Sequence, residues 1–330
     1  MTRRLIEFGA GRPLLDIASY ARRGPGDSVH LAQEEIQLLS RTVRRTPEVM
    51  VKVLTKGGND RKAVGRHLSY LSRDGEVEIE TDDGRHLSGQ GAEQELLEDW
   101  DLDLEEVRRT SVLRARPGIT EPKLAHKVVF SMPAGTPPDG LLDATRAFAR
   151  ETFGAKHRYA MVLHTDEPHP HVHMVVKAVS EEGARLNIRK ATLREWRSEF
   201  ARHLRAQGIS ANATEKAVRG AARANLPDGM YRAMQRGASR RIWEHSTAPA
   251  MERTSASEAS GRESLLHTRA EVERGWRAVA EILDRQGQQD LAWHVRQFSE
   301  MLPPVRTDQE LLGRTLRPRE RGPPQRELAR

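Results

Sequence analysis

From Glu48 onward the chain alternates short apolar runs with longer stretches of helical period. Val49-Met50-Val51-Lys52-Val53-Leu54 predicts a strand, stopped by Lys56-Gly57-Gly58. Asn59 or Asp60 then caps a helix that runs to about Arg73, with Val64, Leu68 and Leu71 on its buried stripe and Asp74-Gly75 as its stop. Residues 76–81 alternate and read as a strand or an extended turn. Glu93–Arg109 reads as an acidic helix presenting a solvated face. Lys127–Met132 predicts a further strand, ended by Pro133-Ala134-Gly135-Thr136 and followed by a helix at about 139–153. Arg158–His164 and His171–Val179 are two apolar runs around a short polar turn, the pattern of an antiparallel hairpin. A helix at about 191–207 spaces Trp196, Phe200 and Leu204 four apart and stops at Gly208.

Strands in sequence with helices between them, at least one pair antiparallel, predict an α+β domain over residues 48–215, with a central, mainly antiparallel sheet. The flanks read differently. Residues 1–47 are an N-terminal extension, expected to be partly disordered, with one short amphipathic helix at 31–40. Residues 216–262 form a basic linker region, and 263–304 a small helical module of two helices broken near Gly287. Residues 305–330 are an Arg/Pro-rich tail expected to be disordered: from Arg314 on, it holds six arginines and three prolines.

Composition narrows the function classes. With 37% hydrophobic residues, no stretch approaches the roughly 20 apolar residues of a spanning helix, so membrane insertion is not expected. Cysteine is absent, which excludes disulfides, a thiol nucleophile and Cys-ligated zinc. The basic start lacks the apolar run of a secretory signal, so a cytoplasmic protein is expected. The net charge of +7 hides a segregation: residues 76–106 hold 13 acids against Arg85 alone, leaving the other 299 residues at +19. A basic body of that size suits a polyanion, and nucleic acid is the usual one.

Four of the 13 histidines fall within His164-Thr165-Asp166-Glu167-Pro168-His169-Pro170-His171-Val172-His173. Strand alternation puts His171 and His173 on one face. If 165–170 is the turn, His164 returns beside them, and three imidazoles converge as a facial ligand set for a divalent cation. Asp166 and Glu167 stand next to it, able to add a ligand oxygen or to accept a proton from a ligating imidazole. A polar, metal-free turn is the plainer alternative.

Of four tyrosines, Tyr70 lies at the edge of the capped helix, with Arg66 and Arg73 as its i−4 and i+3 neighbours and His67 close by. A phenol between two guanidiniums is suited to meet a phosphate; a boundary tyrosine that only packs its ring is the other reading. The two motifs together suggest a tyrosine attacking a phosphodiester, with a bound cation offsetting the charge that gathers there. Lys56, Arg66 and Arg73 are candidates for phosphate contacts, since these need only positive charge within reach. Ser131 and Thr136 either donate to phosphate or merely complete a Pro-Gly turn.

The histidine stretch resembles the third motif of the relaxases, the HUH-type nucleases that nick plasmid DNA for conjugation. Lys52-Val53, Gly57-Gly58 and His67-Leu68-Ser69-Tyr70-Leu71-Ser72-Arg73-Asp74-Gly75 resemble the first motif of the mobilisation branch, which includes the Ti-plasmid border endonuclease. Val128–Thr136 resembles the middle motif. The resemblance covers residues 48–215 and implies an HUH-type α+β fold, with Tyr70 as nucleophile and His164, His171 and His173 as ligands of Mg²⁺ or Mn²⁺. Asp166 corresponds to the acidic residue that orients a ligand histidine or accepts the tyrosyl proton. Glu167 matches a position that is a ligand only in some relatives, and His169 matches no ligand. A single tyrosine in the motif argues against a paired-tyrosine mechanism, and no Gly-Lys-Ser/Thr sequence points to a fused helicase. The implied activity is site- and strand-specific nicking of an origin of transfer through a 5′-phosphotyrosyl intermediate, initiating conjugative mobilisation. The implied partners are single-stranded or supercoiled origin-of-transfer DNA, a relaxosome accessory protein and a type IV secretion coupling protein, with possible passage into a recipient cell. The residues also admit a non-catalytic, metal-stabilised DNA-binding accessory protein or a hydrolase of small phosphate esters; covalent capture of cut DNA separates the three.

Overall fold

The computed structural model describes residues 17–21, 30–54, 58–115, 121–154, 156–220 and 255–306. Lys56, most of the linker region and all but the first residues of the Arg/Pro tail lie outside these stretches, as does the start of the N-terminal extension. The chain divides into two compact units, one built on Gln37–Thr214 and the other on Leu15–Ile36 with Glu215–Arg330. In chain order the helices are α1 (Ile17–Ala21), α2 (Gln33–Val43), α3 (Arg61–Ser72), α4 (Ala92–Asp99), α5 (Leu102–Ala115), α6 (Pro138–Thr152), α7 (Lys190–Ala206), α8 (Ser255–Arg285) and α9 (Gln289–Glu300). The strands are β1 (Met50–Leu54), β2 (Ile79–Thr81), β3 (His86–Leu87), β4 (Ala125–Ser131), β5 (Tyr159–His164) and β6 (His171–Lys177).

The strands form one sheet in the order β1-β4-β6-β5-β2-β3, with every neighbouring pair antiparallel. This is the α+β architecture that the strand and helix pattern predicts. The register sorts the side chains into two faces, because directly opposed residues share a face. On one face, Val51, Phe130, Val172 and Leu163 form a row across β1, β4, β6 and β5, and Val53, Val128, Met174 and Met161 form the next. These rows pack against α6 and α7 through Leu141, Phe148, Trp196, Phe200 and Leu204. On the opposite face the rows are Met50–Ser131–His171–His164, then Lys52–Val129–His173–Val162, then Leu54–Lys127–Val175–Ala160. Val64, Leu68 and Leu71 of α3 cover the apolar part of that face, on Ala160, Val162 and Val175.

The acidic stretch departs from the expected single solvated helix. It folds as α4 and α5, split at Trp100-Asp101, where Asp101 takes a left-handed backbone with φ 51°. Leu96, Leu97, Trp100 and Leu102 are buried beside α3 and complete a second core. Many of its acids also have arginine partners: Arg146 on Glu80, Arg158 on Asp82 and Asp99, Arg85 on Asp99, and Arg61 on Asp103. The charge segregation seen along the sequence is therefore partly cancelled in space. Helical period could not reveal this, because a helix that buries one apolar stripe and points its acids outward looks polar in composition.

The other unit is helical. Ile17 and Tyr20 of α1 are buried, as are Val272, Trp276, Val279 and Leu283 of α8 and Val295 and Phe298 of α9. The Trp276 indole donates to the Val218 carbonyl at 3.1 Å. The break near Gly287 appears between α8 and α9 as expected, whereas α1 and β3 had no signal long enough to read. No helix of the described residues is long and apolar enough to cross a membrane.

Two expectations follow from this packing. Phe148 is fully buried among Phe130, Phe153, Trp196 and Phe200, with ring centroids 5.0–6.4 Å away. Phe148→Ala should destabilise the sheet unit by about 3–5 kcal/mol, read from urea unfolding. His126 donates from its ring to the Leu186 carbonyl at 3.2 Å, and burial, reinforced by the Lys123 charge, pushes its pKa down to about 4. The folded state then favours the neutral imidazole, so this contribution is present above about pH 6.5 and is lost as pH falls through 4. Unfolding at pH 7 and pH 4.5 should show a smaller acid loss of stability in His126→Gln than in the parent chain.

Candidate metal and phosphate site

Hairpin pairing places His164 directly opposite His171, and His173 one step further along the same face. Their three ring centroids are 4.9–5.2 Å apart, and one ligand nitrogen from each lies within 4.8 Å of the other two. Two of the rings are oriented by carbonyl oxygens, which can only accept. His164 Nε2 donates to the Leu71 carbonyl at 2.8 Å, leaving the Nδ1 lone pair free. His171 Nδ1 donates to the His169 carbonyl at 3.0 Å, leaving Nε2 free. His173 is the most enclosed of the three. Burial and the neighbouring His164, His171 and His67 push its pKa down to about 3, so it stays a neutral donor of electrons at physiological pH. Three imidazoles on one side of a point fit a divalent cation with positions left open.

The helix carrying Tyr70 is held at both ends. At its start the Asp60 carboxylate accepts from the Ala63 amide at 2.7 Å, and Glu106 accepts from the Arg61 amide at 2.9 Å. At its end Arg73, Asp74 and Gly75 all have positive φ, at 51°, 56° and 94°. A Cβ on Gly75 would lie 2.2 Å from the Gly89 carbonyl oxygen, so only glycine fits where these two segments meet. The Leu71 carbonyl that receives His164 belongs to the last turn, which joins the helix directly to the histidine cluster. Tyr70 is 71% exposed, with no hydrogen-bond partner for its hydroxyl among the described residues. One turn earlier, His67 sets its ring 6.3 Å from that of His173, and its Nε2 is buried without a hydrogen-bond partner among the described residues. Burial and the Lys127 charge push the His67 pKa down to about 4.

The other residues singled out in the sequence have definite places. Arg66 is exposed on α3. Arg73 is ion-paired with Asp166 at 2.6 Å, half-exposed on both sides, and that charge helps hold the Asp166 carboxyl below its usual range, after a backbone hydrogen bond of its own. Asp166 makes no hydrogen bond to the three histidines. Ser131 is buried on the histidine face and donates to the Pro170 carbonyl at 3.2 Å, bracing the turn that carries the cluster. Thr136 donates to the Pro133 carbonyl at 2.8 Å and completes the turn before α6. Glu167 and His169 are exposed in the hairpin turn.

Two groups at this site escaped the sequence reading. The Leu71 carbonyl, a backbone atom, has no sequence signal at all. Lys127 shares strand parity with Val129 and Ser131, and that parity, combined with the pairing of β4 to β6, was the clue to its face. A second cluster, Glu151, Glu199 and His203, also brings ligand atoms together. The Arg202 guanidinium already bonds both carboxylates at 2.7 Å and supplies the positive charge there.

A family model described as "Relaxase: MobA/VirD2-like, nuclease domain" matches residues 70–209, a span that begins at Tyr70 and includes all three histidines. The T-DNA border endonucleases VirD2 of Agrobacterium fabrum (strain C58 / ATCC 33970) and of Rhizobium radiobacter are 27% and 26% identical over 217 residues. Those alignments cover 59% of this chain and 46% and 48% of the relatives, so the chain spans about half the length of the curated relatives it matches. A solved chain described under "Molecular Basis of Vancomycin Resistance Transfer in Staphylococcus aureus" aligns with 52% of this chain and 99% of its own length, at 10% identity and a TM-score of 0.31. The family match runs from Tyr70 through the histidine hairpin to the end of α7, so the sheet unit of this chain is similar to relaxases of the MobA/VirD2-like nuclease type.

Proposed function

We propose that the chain is a relaxase that nicks one strand of an origin of transfer and stays joined to its 5′ end. The observation that carries this reading is the convergence of three imidazole nitrogens within 4.8 Å, with one of the rings, His164, hydrogen-bonded to the very helix that exposes Tyr70. His164, His171 and His173 would hold the divalent cation, which when bound draws charge off the scissile phosphate. An all-imidazole donor set suits Mn²⁺ better than Mg²⁺, which prefers oxygen ligands. In the reaction the Tyr70 hydroxyl loses its proton and its oxygen bonds to phosphorus. The P–O3′ bond breaks, and the departing 3′ oxygen takes up a proton. Attack by that 3′-hydroxyl on the phosphotyrosine reseals the strand.

Arg66 and Arg73 flank the phenol and supply positive charge for the strand backbone, with Lys56 as a further candidate from sequence. Asp166 acts here by holding Arg73 in place, since a carboxylate stabilised in its charged form by a guanidinium is a weak base. Ser131 serves by bracing the histidine turn rather than by meeting phosphate. Residues 48–215 form the nicking domain. The 263–304 helices serve as a docking module for a relaxosome accessory or coupling protein, and the Arg-rich tail as a signal for transfer with the DNA.

Two measurements test the reading. With Mn²⁺ and supercoiled plasmid carrying the cognate origin, the parent chain should nick and become attached to the 5′ end. Tyr70→Phe, which removes one oxygen, should lose both products by about 10³-fold or more while binding DNA almost normally. If the Phe variant nicks at the parent rate, Tyr70 is not the nucleophile. If the parent binds metal and DNA but forms no adduct, the non-catalytic accessory role takes its place. Calorimetry with Mn²⁺ should show His171→Ala and His173→Ala weakening binding by at least about tenfold, with His169→Ala close to the parent chain. Equal losses at all three positions would overturn the ligand assignment.

A further inference from the structure

Lys127 sits inside the sheet unit without an ion-pair partner among the described residues. It is the third residue of β4, paired with Leu54 and Val175 on the histidine face, and is 5% exposed. Its ammonium makes no hydrogen bond or ion pair among the described residues. The groups that face it are Lys123 from the segment before β4, Arg66 and His67 from α3, and a single carboxylate, that of Asp60. That carboxylate is already used by the Ala63 amide in the first turn of α3. A lysine whose stem is enclosed, whose ammonium has no partner among the described residues and whose neighbours Lys123 and Arg66 are also cationic is suited to an anion that arrives from outside.

The backbone beside the lysine is held in a close turn. Gly58, at φ +101°, accepts from the Leu124 and Ala125 amides at 2.7 and 3.1 Å, which holds its turn against the start of β4. A Cβ there would lie 2.5 Å from the Ala125 carbonyl oxygen, too close for any side chain, and 3.8 Å from Lys127 Cε, which places this glycine turn in contact with the lysine. Lys52, exposed in the next row of the same face, extends the positive charge toward the β1 edge. α3 links this place to the histidines. Its Asp60 end lies by Lys127 and its Leu71 carbonyl holds His164, roughly 16 Å apart at about 1.5 Å per residue.

We propose that Lys127 is a phosphate-binding residue, taking a non-scissile phosphodiester of the same strand whose scissile phosphate lies at the histidine cluster. The identity of the anion as a DNA strand rests on the relaxase reading; the presence of an anion site rests on Lys127 itself.

The test uses the full chain in EDTA with a fluorescein-labelled thymidylate fifteen-mer, titrated between about 50 and 300 mM NaCl, where each phosphate contact to a single strand contributes a slope of roughly 0.7. Lys127→Met should lower the slope of log affinity against log salt by about that amount, and Lys127→Arg should restore it. Lys127→Met should also melt at the same or a higher temperature than the parent chain, because an unpartnered charge has been removed; a merely structural lysine would give the opposite shift. An unchanged slope overturns the assignment, as does a loss of affinity accompanied by a lower melting temperature. Inorganic phosphate at matched ionic strength should displace the strand poorly. If it displaces the strand from the parent chain but not from Lys127→Met, the site takes free phosphate and the strand assignment falls. Nicking by the parent chain together with an unchanged slope sinks Lys127 alone and leaves the Tyr70 reading intact.

Discussion

The pairing of β5 with β6 is the constraint on which the rest of this molecule depends. An antiparallel ladder has a side-chain period of two, so a slip of one residue would send His171 and His173 into the aromatic core and leave Val172 and Met174 facing outward. Burial prevents that slip. Val172, Met174 and Val176 each fit among Phe130, Phe148 and their neighbours, and leaving such residues in water costs about 1.5–3 kcal/mol apiece. The apolar face thus sets the position of the polar one, and three imidazoles converge because the residues between them belong in the core.

The same sheet also places the tyrosine. α3 lies on the histidine face, seated by Val64, Leu68 and Leu71, and its last turn gives a carbonyl to His164. One hydrogen bond therefore performs two tasks: it selects the tautomer of a candidate ligand and ties that ligand to the helix bearing Tyr70. The left-handed residues Arg73 and Asp74 cost some backbone strain and are held by what surrounds them, with Arg73 drawn onto Asp166 and Ser69 donating to Asp74 at 2.5 Å. Strain kept in this place is consistent with a site that needs its helix terminus in one position.

Electrostatics divides the sheet unit between two tasks. The acids of residues 76–106 gather about β2, β3, α4 and α5 and are partly answered by Arg85 among them and by arginines from the rest of the unit. Such exposed pairs contribute little to stability individually. Their consequence is that Arg146, Arg158 and Arg85 are already engaged. The basic groups left near the histidines, Arg66, Lys52 and Lys127, include one, Lys127, that is largely enclosed and has no partner among the described residues.

Much of this was written in local pattern. Period-two runs located β1, β4, β5 and β6, a cap and a glycine stop bounded α3, and Trp196, Phe200 and Leu204 marked the face that α7 buries. The hairpin around 165–170 is a short-range feature, so the approach of His164 to His171 and His173 was legible from alternation alone. What the sequence could not determine depends on contacts between residues far apart in the chain. The order β1-β4-β6-β5-β2-β3 puts β4 between β1 and β6, which sets Lys127 and Ser131 on the histidine face; no local rule chooses that order. The acidic segment read as a solvated helix because its buried residues are few, and only packing against α3 shows that Trp100 is core and Asp101 a break. Arg73 read as free to meet phosphate, yet its partner Asp166 lies more than 90 residues away in sequence. Strand and helix identity follows from side-chain period, which is local. The pairing of charges and the tautomer of each imidazole follow from which surfaces are buried together, and only the tertiary structure decides that.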